Sequence, residues 1–280
     1  ELMVPMLIGM SERGPESTGL AVFSKPEANG KQKVNLYSGD GQFDWDALRA
    51  DAKKSFGTGC TLETNANHGI LETALDTDAV SAWVREHYPS VHVLSSGRSI
   101  DVYKDIGTPG EVAERYHFES LQGTHLVGHT RMATESAVTP EHAHPFTSGQ
   151  DFCLVHNGSL SNPNSLRRKL AALGIAFDTD NDTEVACRYL AWRMQEGDDL
   201  DTAIQKGFDE FDGFYTFLIG TKDKLALVRD AFACKPAIVA ETDDYVAIAS
   251  EFRSLAKLPG VKHANLFEPK PEEVYVWQVQ

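Results

Sequence analysis

Hydrophobic residues in the first half of the chain form short runs with alternating helical and strand-like spacing. Residues 2–10 have helical spacing and are followed by turn residues at 11–15, and residues 18–24 form a β-rich run. Asp44, Asp76 and Thr108 stand where helix N-caps are expected. The pattern therefore predicts strands at 33–37, 68–72 and 91–95, and helices at 45–55, 76–87 and 109–116.

The second half contains compact strand-like runs that end in polar residues. Residues 125–130 and 152–156 are such runs, and polar clusters follow at 130–134 and 157–158. Helices are predicted from Asn162 or Asn164 to about 173, from 182 to 195 with Val185, Tyr189 and Trp192 on one face, and over 200–211. A β meander is predicted over 214–220, 225–230, 237–241, 245–250 and 274–278, with hairpin turns at 221–224 and 242–244. Strands at both ends with helices between them favour a layered α+β fold.

Composition limits the classes of partner. The chain has 280 residues, of which 41% are hydrophobic and 24% charged, as in globular proteins. Its 26 basic and 41 acidic residues give a formal charge of −15, which argues against nucleic acid or an anionic membrane as the main partner. No apolar run approaches the roughly 20 residues needed to span a bilayer. Four scattered cysteines, without paired spacing, favour a reducing cytoplasm.

Three polar clusters have complementary chemistry. Asn157-Gly158 follows Arg131 by 26 residues, and Asp182 follows Asn157 by 25. A guanidinium and a carboxylate can hold the two ends of a free amino acid, while an amide and a backbone N–H can stabilise an oxyanion. Each residue also has an ordinary interpretation: Arg131 as a salt-bridge partner, Asn157-Gly158 as a type I′ turn, and Asp182 as a helix N-cap. Their order and complementarity favour a substrate site.

The histidines allow a rival interpretation as metal ligands. His142 and His144 alternate in a loop, and His129 lies shortly before them. Without a nearby framework of cysteines or carboxylates, this pattern is weak evidence for a metal, so we predict none. We expect the loop around His144 to pack against the site instead.

Four segments, taken in order, resemble the successive motifs of the class II (N-terminal nucleophile) glutamine amidotransferase domain: 13–19, 128–134, 156–158 with Asn164, and 181–184. Later segments at 227–230, 234–236 and 249–251 resemble the closing strand pairs of that family. The resemblance extends from the first residues to about Phe252. It implies a four-layer αββα sandwich of the Ntn-hydrolase type, as one domain over 1–280 with an insertion at about 38–123.

The resemblance also implies roles for individual residues. Arg131 would bind the α-carboxylate of glutamine and Asp182 its α-ammonium group, while Asn157 and Gly158 would form the oxyanion hole. Arg13 would support the loop near the N-terminus, and Thr134 would line the glutamine pocket.

The family's nucleophile is a cysteine at the mature N-terminus, whose own α-amino group acts as the base. The sequence begins with Glu1, so we expect the strand that carries this cysteine to lie upstream. None of the four cysteines in the chain has a free α-amino group, and each is expected to be a small, inert, partly buried residue (Cys60, Cys153, Cys187 and Cys234).

The expected function is that of a glutaminase subunit that supplies ammonia to a partner synthase. Segments 38–123 and 135–139 most resemble a stand-alone branch, in which the domain is a subunit of a glutamate-synthase-like or N-methylglutamate-synthase complex. The chain has no Gly-rich phosphate loop, flavin signature or cysteine cluster. The resemblance therefore implies that FMN and an iron–sulfur cluster reside on a partner subunit of a hetero-oligomer, with a further β-helix subunit as an option.

Two alternatives remain open at this point. The chain would be a catalytically inactive subunit with an assembly or regulatory role if it had lost the nucleophile. It would be an Ntn hydrolase for another amide if the clamp served a different substrate, although Arg131 together with Asp182 argues for a free amino acid.

Overall fold

The computed structural model describes residues 2–26, 30–132 and 138–279. Its strands, in chain order, are β1 (Ser17–Phe23), β2 (Gln32–Ser38), β3 (Thr61–Asn65), β4 (His68–Thr73), β5 (Val91–Gly97), β6 (Ile100–Ile106), β7 (His125–Arg131), β8 (Phe146–Thr147), β9 (Phe152–Leu160), β10 (Gly213–Thr221), β11 (Lys224–Arg229), β12 (Ile238–Glu241), β13 (Val246–Ala249), β14 (Asn265–Phe267) and β15 (Tyr275–Gln278). Its α-helices are α1 (Met3–Gly9), α2 (Trp45–Phe56), α3 (Thr77–His87), α4 (Pro109–Arg115), α5 (Pro163–Ala172), α6 (Asp182–Gln195), α7 (Leu200–Phe208) and α8 (Phe252–Leu255).

Two antiparallel sheets pack face to face at the centre of the molecule. The first has the strand order β6-β1-β7 and the second β15-β11-β10-β9-β8. Phe23 and Val127 of the first sheet share a buried core with Cys153 and Val155 of the second. All seven residues of β1 are buried, because the strand is covered on both faces.

Helices cover the outer face of each central sheet. Leu7 of α1 and Val112 of α4 pack in one core with Leu20 of β1. On the other side, Val185 of α6 packs in one core with Phe217 of β10. Val185 and Tyr189 are buried and Trp192 packs beside them, as the helical spacing predicts. The order helix, sheet, sheet, helix confirms the predicted α+β fold with a four-layer αββα sandwich.

A further sheet with its own core is formed early in the chain. Its strand order is β3-β4-β2-β5, and α2 and α3 cover it through a core that includes Leu36, Leu48 and Val80. Most of this unit lies within the predicted insertion at about 38–123, but β6, which that range includes, pairs with β1 in the central sheet. The insertion and the single-domain organisation stay predictions.

The predicted helix caps are present. The side chains of Asp44, Asp76 and Thr108 each accept hydrogen bonds from backbone N–H groups of the helix that follows. Asn162 occupies the N-cap position of α5, but its side chain instead binds the backbone of residues 210 and 212. In the described residues, no helix combines the length and the apolar character that a membrane crossing requires.

The prediction of one closing β meander is wrong in part. Strands β10, β11 and β15 belong to the second central sheet, whereas β12 and β13 pair with β14 in a separate sheet. The reason is long-range packing, because Ala240 and Ala247 of this hairpin pack in one core with Leu255 of α8. Both predicted hairpin turns are confirmed by antiparallel pairing of β10 with β11 and of β12 with β13.

Candidate functional site

A cavity of about 790 Å³ opens between α1, β7, β9, β13 and the start of α6. Five of the predicted site residues line it: Arg13, Arg131, Asn157, Gly158 and Asp182. The sixth, Thr134, lies outside the described residues, so its predicted place in the pocket stays a prediction. The three separate polar clusters of the sequence therefore meet on one cavity.

Arg131 ends β7 and lies opposite Ser17 of β1. The residue is only 8% exposed, and burial lowers the pKa of its guanidinium, while the carboxylates of Glu16 and Asp182 oppose this effect. An arginine side chain nevertheless stays protonated in proteins. A largely buried positive charge is thus held at the cavity wall, where bidentate binding of a carboxylate is favourable.

Asn157 and Gly158 lie inside β9, opposite Thr216 and Tyr215 of β10. The type I′ turn is therefore the wrong interpretation of this dipeptide. Gly158 has φ = +146°, and a Cβ atom there would lie 1.9 Å from the carbonyl oxygen of Phe214. Only glycine fits this position without movement of the backbone. Asn157 is partly exposed, Gly158 is exposed, and both border the cavity.

Asp182 is the first residue of α6, but it is not the N-cap. Asn181 fills that position, with its Oδ1 accepting the N–H of Thr183 at 2.9 Å. Asp182 instead uses Oδ2 to accept the N–H of Leu160 at 2.8 Å and Oδ1 to accept the hydroxyl of Thr183 at 3.3 Å. The N-cap interpretation of Asp182 is therefore wrong, and its carboxylate links α6 to β9.

The electrostatic environment keeps Asp182 ionised. Burial raises the pKa of its carboxyl group, but His156 together with the N–H of Leu160 and the hydroxyl of Thr183 outweighs this effect and lowers the pKa below its usual value. The N-terminal end of α6 also favours negative charge. The cavity thus holds a carboxylate and a guanidinium of opposite charge.

Arg13 follows α1, and its Nη1 donates to Oε1 of Glu251 at 3.1 Å. This ion pair ties the loop after α1 to the start of α8. The contact agrees with a supporting role for the loop, while any contact of Arg13 with substrate stays a prediction.

Beside Asp182, three buried histidines and one threonine form mutual hydrogen bonds that the sequence pattern did not predict. Nε2 of His144 and Nδ1 of His156 lie 2.9 and 3.1 Å from Oγ1 of Thr183. Nε2 of His129 donates to the carbonyl oxygen of His156 at 3.1 Å. Burial lowers the pKa of His129 to about 4 and that of His144 well below its usual range, so both rings are neutral near pH 7. His129, His156 and Thr183 occur in the quoted motifs, but their shared contacts come only from the fold.

The rival interpretation of the histidines as metal ligands gains no support from this geometry. His142 points to Asp180, with Nε2 at 2.8 Å from Oδ1, whereas His144 points to Thr183. Among residues 2–26, 30–132 and 138–279, no group of three or more histidine, cysteine or acidic side chains is arranged to hold a metal ion.

The cysteines of the described chain lie away from the cavity lining. Burial raises the pKa of Cys153 to about 12 and raises those of Cys60 and Cys187 as well. These three thiols are therefore protonated and poor nucleophiles near pH 7. Cys234 is exposed.

Comparison with known proteins gives matches over most of the chain. Residues 129–257 match a family model described as a glutamine amidotransferase domain. The chain is 46% identical to the glutamine amidotransferase-like protein GlxB of Rhizobium meliloti, over 100% of this chain and 93% of that protein. It is also 39% identical to a glutamine–fructose-6-phosphate aminotransferase of Neisseria meningitidis, over 66% of this chain but 30% of that protein.

The fold matches a solved structure as well. The glutamine phosphoribosylpyrophosphate amidotransferase of B. subtilis superposes with a TM-score of 0.55 at 19% identity, covering 92% of this chain and 46% of that one. This likeness shows a common fold.

Proposed function

The chain belongs to the class II glutamine amidotransferase family, and from this premise we propose that it is a glutaminase subunit that supplies ammonia to a partner synthase. The observation that carries the proposal is the meeting of Arg131, Asn157-Gly158 and Asp182 on one cavity. Together these residues provide a positive and a negative group for the two ends of a free amino acid, and hydrogen-bond donors for its side-chain amide.

Substrate binding follows from the two opposite charges. The guanidinium of Arg131 pairs with the α-carboxylate of glutamine, and the ionised carboxylate of Asp182 pairs with its α-ammonium group. Both protein groups are partly or largely withdrawn from water, which strengthens each pairing relative to an exposed one. The clamp fixes the backbone end of the substrate and directs its side chain along the cavity.

Asn157 and Gly158 serve the chemical step. Attack on the side-chain amide turns its carbonyl oxygen into an oxyanion in the tetrahedral intermediate. The side-chain amide of Asn157 and the N–H of Gly158 donate to that oxygen, and this stabilisation grows as the charge develops.

The nucleophile of the proposal is a cysteine thiol at a mature N-terminus upstream of Glu1. Its sulfur forms a thioester with the glutamyl group, the amide nitrogen leaves as ammonia after protonation, and water then releases glutamate. Two features of the cavity support a place for the strand that would carry this cysteine. Strands β7 and β13 are edge strands of their sheets in the described part of the chain, and both border the cavity. Met3 and Leu7 of α1 also line it, and the proposal places the segment that precedes α1 beside them.

The partner is proposed from the resemblance of segments 38–123 and 135–139 to stand-alone amidotransferase subunits. We propose a synthase subunit of the glutamate synthase or N-methylglutamate synthase type that carries FMN and an iron–sulfur cluster, with a β-helix subunit as a further component. Co-purification of the native complex, followed by identification of its subunits and its flavin, tests this part of the proposal.

The clamp is tested by replacing Arg131 with alanine in the full-length protein. Loss of a charge-assisted contact to the α-carboxylate is expected to raise the KM for glutamine by roughly 10- to 100-fold, since such bonds contribute about 1.5–3 kcal/mol. Glutamate release measures KM, and thermal unfolding checks that the variant folds.

The matched control is Arg98→Ala, because Arg98 is exposed and lies outside the cavity lining. Its KM is expected to equal that of the parent protein. An Arg131→Ala variant that folds normally and keeps the parental KM would refute the clamp.

A further inference from the structure

We infer that Thr183 is a positioning residue for the carboxylate of Asp182. Its hydroxyl accepts hydrogen bonds from two buried histidines and donates one to that carboxylate. The inference rests on the proposed function, in which Asp182 binds the α-ammonium group of glutamine. Thr183 is the second residue of α6, borders the cavity and is 1% exposed. Its hydroxyl lies between His144, His156 and Asp182.

The direction of each hydrogen bond follows from counting protons. A hydroxyl donates one hydrogen bond and accepts two, while an ionised carboxylate only accepts. Oγ1 of Thr183 has three partners: Oδ1 of Asp182 at 3.3 Å, Nε2 of His144 at 2.9 Å and Nδ1 of His156 at 3.1 Å. Since the carboxylate must receive the hydroxyl proton, both histidines must donate to the hydroxyl oxygen.

This order fixes the tautomers of the three rings. His144 donates from Nε2 and His156 from Nδ1, and Nε2 of His156 is buried without an acceptor to receive a second proton. His129 donates from Nε2 to the carbonyl oxygen of His156, which leaves its Nδ1 without a proton. The assignment predicts three bare nitrogens.

The nitrogens that have no partner agree with this assignment. In the described residues, the buried histidine nitrogens without a hydrogen-bond partner are Nδ1 of His129, Nδ1 of His144 and Nε2 of His156. These are the same three atoms that the proton count leaves unprotonated. A bare acceptor nitrogen without a partner costs less to bury than an unpaired N–H on a charged imidazolium ring.

The two histidines are held by different sheets. His156 belongs to β9 of the second central sheet. His144 lies in a loop whose carbonyl oxygens at Ala143 and Pro145 accept hydrogen bonds from Nζ of Lys104, at 2.9 and 3.4 Å. Lys104 lies on β6 of the first central sheet. Thr183 therefore ties α6 to both sheets through one hydroxyl group.

These hydrogen bonds fix the orientation of the Asp182 carboxylate. Its Oδ2 is fixed by the N–H of Leu160 and its Oδ1 by the hydroxyl of Thr183. With both oxygens held, the plane of the carboxylate is fixed before a substrate ammonium arrives. Such preorganisation reduces the ordering that binding requires.

The test measures binding of L-glutamate, the reaction product, to the full-length protein by calorimetry, because this needs no turnover. Thr183→Val keeps the side-chain shape but removes the hydroxyl. We expect this variant to bind glutamate at least about 10-fold more weakly, because a hydrogen bond to a charged group is lost. Thr183→Ser restores the hydroxyl and is expected to bind nearly as tightly as the parent protein. Thr18→Val is the matched control, since Thr18 is also buried and loses a hydroxyl bonded to Gly107, away from the cavity.

A second measurement does not depend on substrate. Long-range ¹H–¹⁵N NMR spectra distinguish protonated from bare ring nitrogens, and we expect His156 to be protonated on Nδ1 and His129 and His144 on Nε2. Any other tautomer at His156 or His144 would overturn the inference, even if the valine variant failed to fold.

The outcomes separate the two proposals. If the parent protein binds glutamate and Thr183→Val binds it equally well, the positioning role is refuted while the clamp stands. If the parent protein binds no glutamate, the proposed function fails, and the proton order at Thr183 is then supported or refuted by the tautomers alone.

Discussion

The backbone at position 158 determines which residue the site accepts. With φ = +146° and the oxygen of Phe214 at 1.9 Å from any Cβ, Gly158 tolerates no side chain. We expect Gly158→Ala to lower the free energy of unfolding by about 1–3 kcal/mol, the usual cost of a residue held in a strained conformation. Urea denaturation monitored by circular dichroism measures this change.

Gly110→Ala is the matched control for the Gly158→Ala variant. Gly110 lies in the first turn of α4, and a Cβ atom there would meet nothing within 4 Å. Its stability is expected to stay the same or rise slightly, because alanine is the better helix former. Equal stability of the two alanine variants would show that β9 and β10 separate easily at this point and that glycine is not required there.

Some residues of the site could be predicted from the sequence and others could not. Arg131, Asn157 and Asp182 were predicted to act together because their chemistry is complementary, and the structure places them on one cavity. Thr183 received no role because its partners His156 and His144 lie 27 and 39 positions away. Nothing in the local pattern indicates that one hydroxyl joins two such distant histidines to the neighbouring Asp182.

At the scale of elements, local signals predicted the helices well. The caps at Asp44, Asp76 and Thr108 and the apolar face of α6 depend on neighbours within a few positions, so the sequence contains all the information needed. These elements were therefore found with nearly correct ends.

One strand with two buried charges, β6, was not predicted. β6 carries Lys104 and Asp105, which look like surface residues in the sequence but are 5% and 6% exposed. Lys104 is satisfied by carbonyl oxygens of residues 141–145, and Asp105 by Arg115 and Tyr116. Because these partners come from other elements, hydrophobic alternation could not identify the strand.

At the scale of the whole molecule, the buried neutral histidines make stability depend on pH. Burial lowers the pKa of His68 to about 3, whereas an unfolded histidine titrates near pH 6.5. Below that pH the unfolded chain binds a proton that the native protein does not. The stabilising contribution is therefore present above about pH 6.5 and is lost as the pH falls towards 3.

His68→Gln isolates this contribution, since His68 is not among the residues that line the cavity. Between about pH 6 and pH 4, we expect the slope of unfolding free energy against pH to be shallower in the variant by up to about 1.4 kcal/mol per pH unit. Denaturation curves at a series of pH values provide the slopes. Identical slopes for variant and parent protein would mean that His68 is protonated in the native state.

The central claim is that the cavity serves an N-terminal cysteine nucleophile that attacks glutamine. Its most direct test is to treat the full-length protein with an electrophilic diazoketone analogue of glutamine and to locate the adduct by peptide mass spectrometry. We expect a single adduct on a cysteine at the mature N-terminus, suppressed by glutamate and absent from Cys60, Cys153, Cys187 and Cys234. A full-length protein that gives no adduct, as an inactive subunit would, or an adduct on any of those four cysteines, would contradict it.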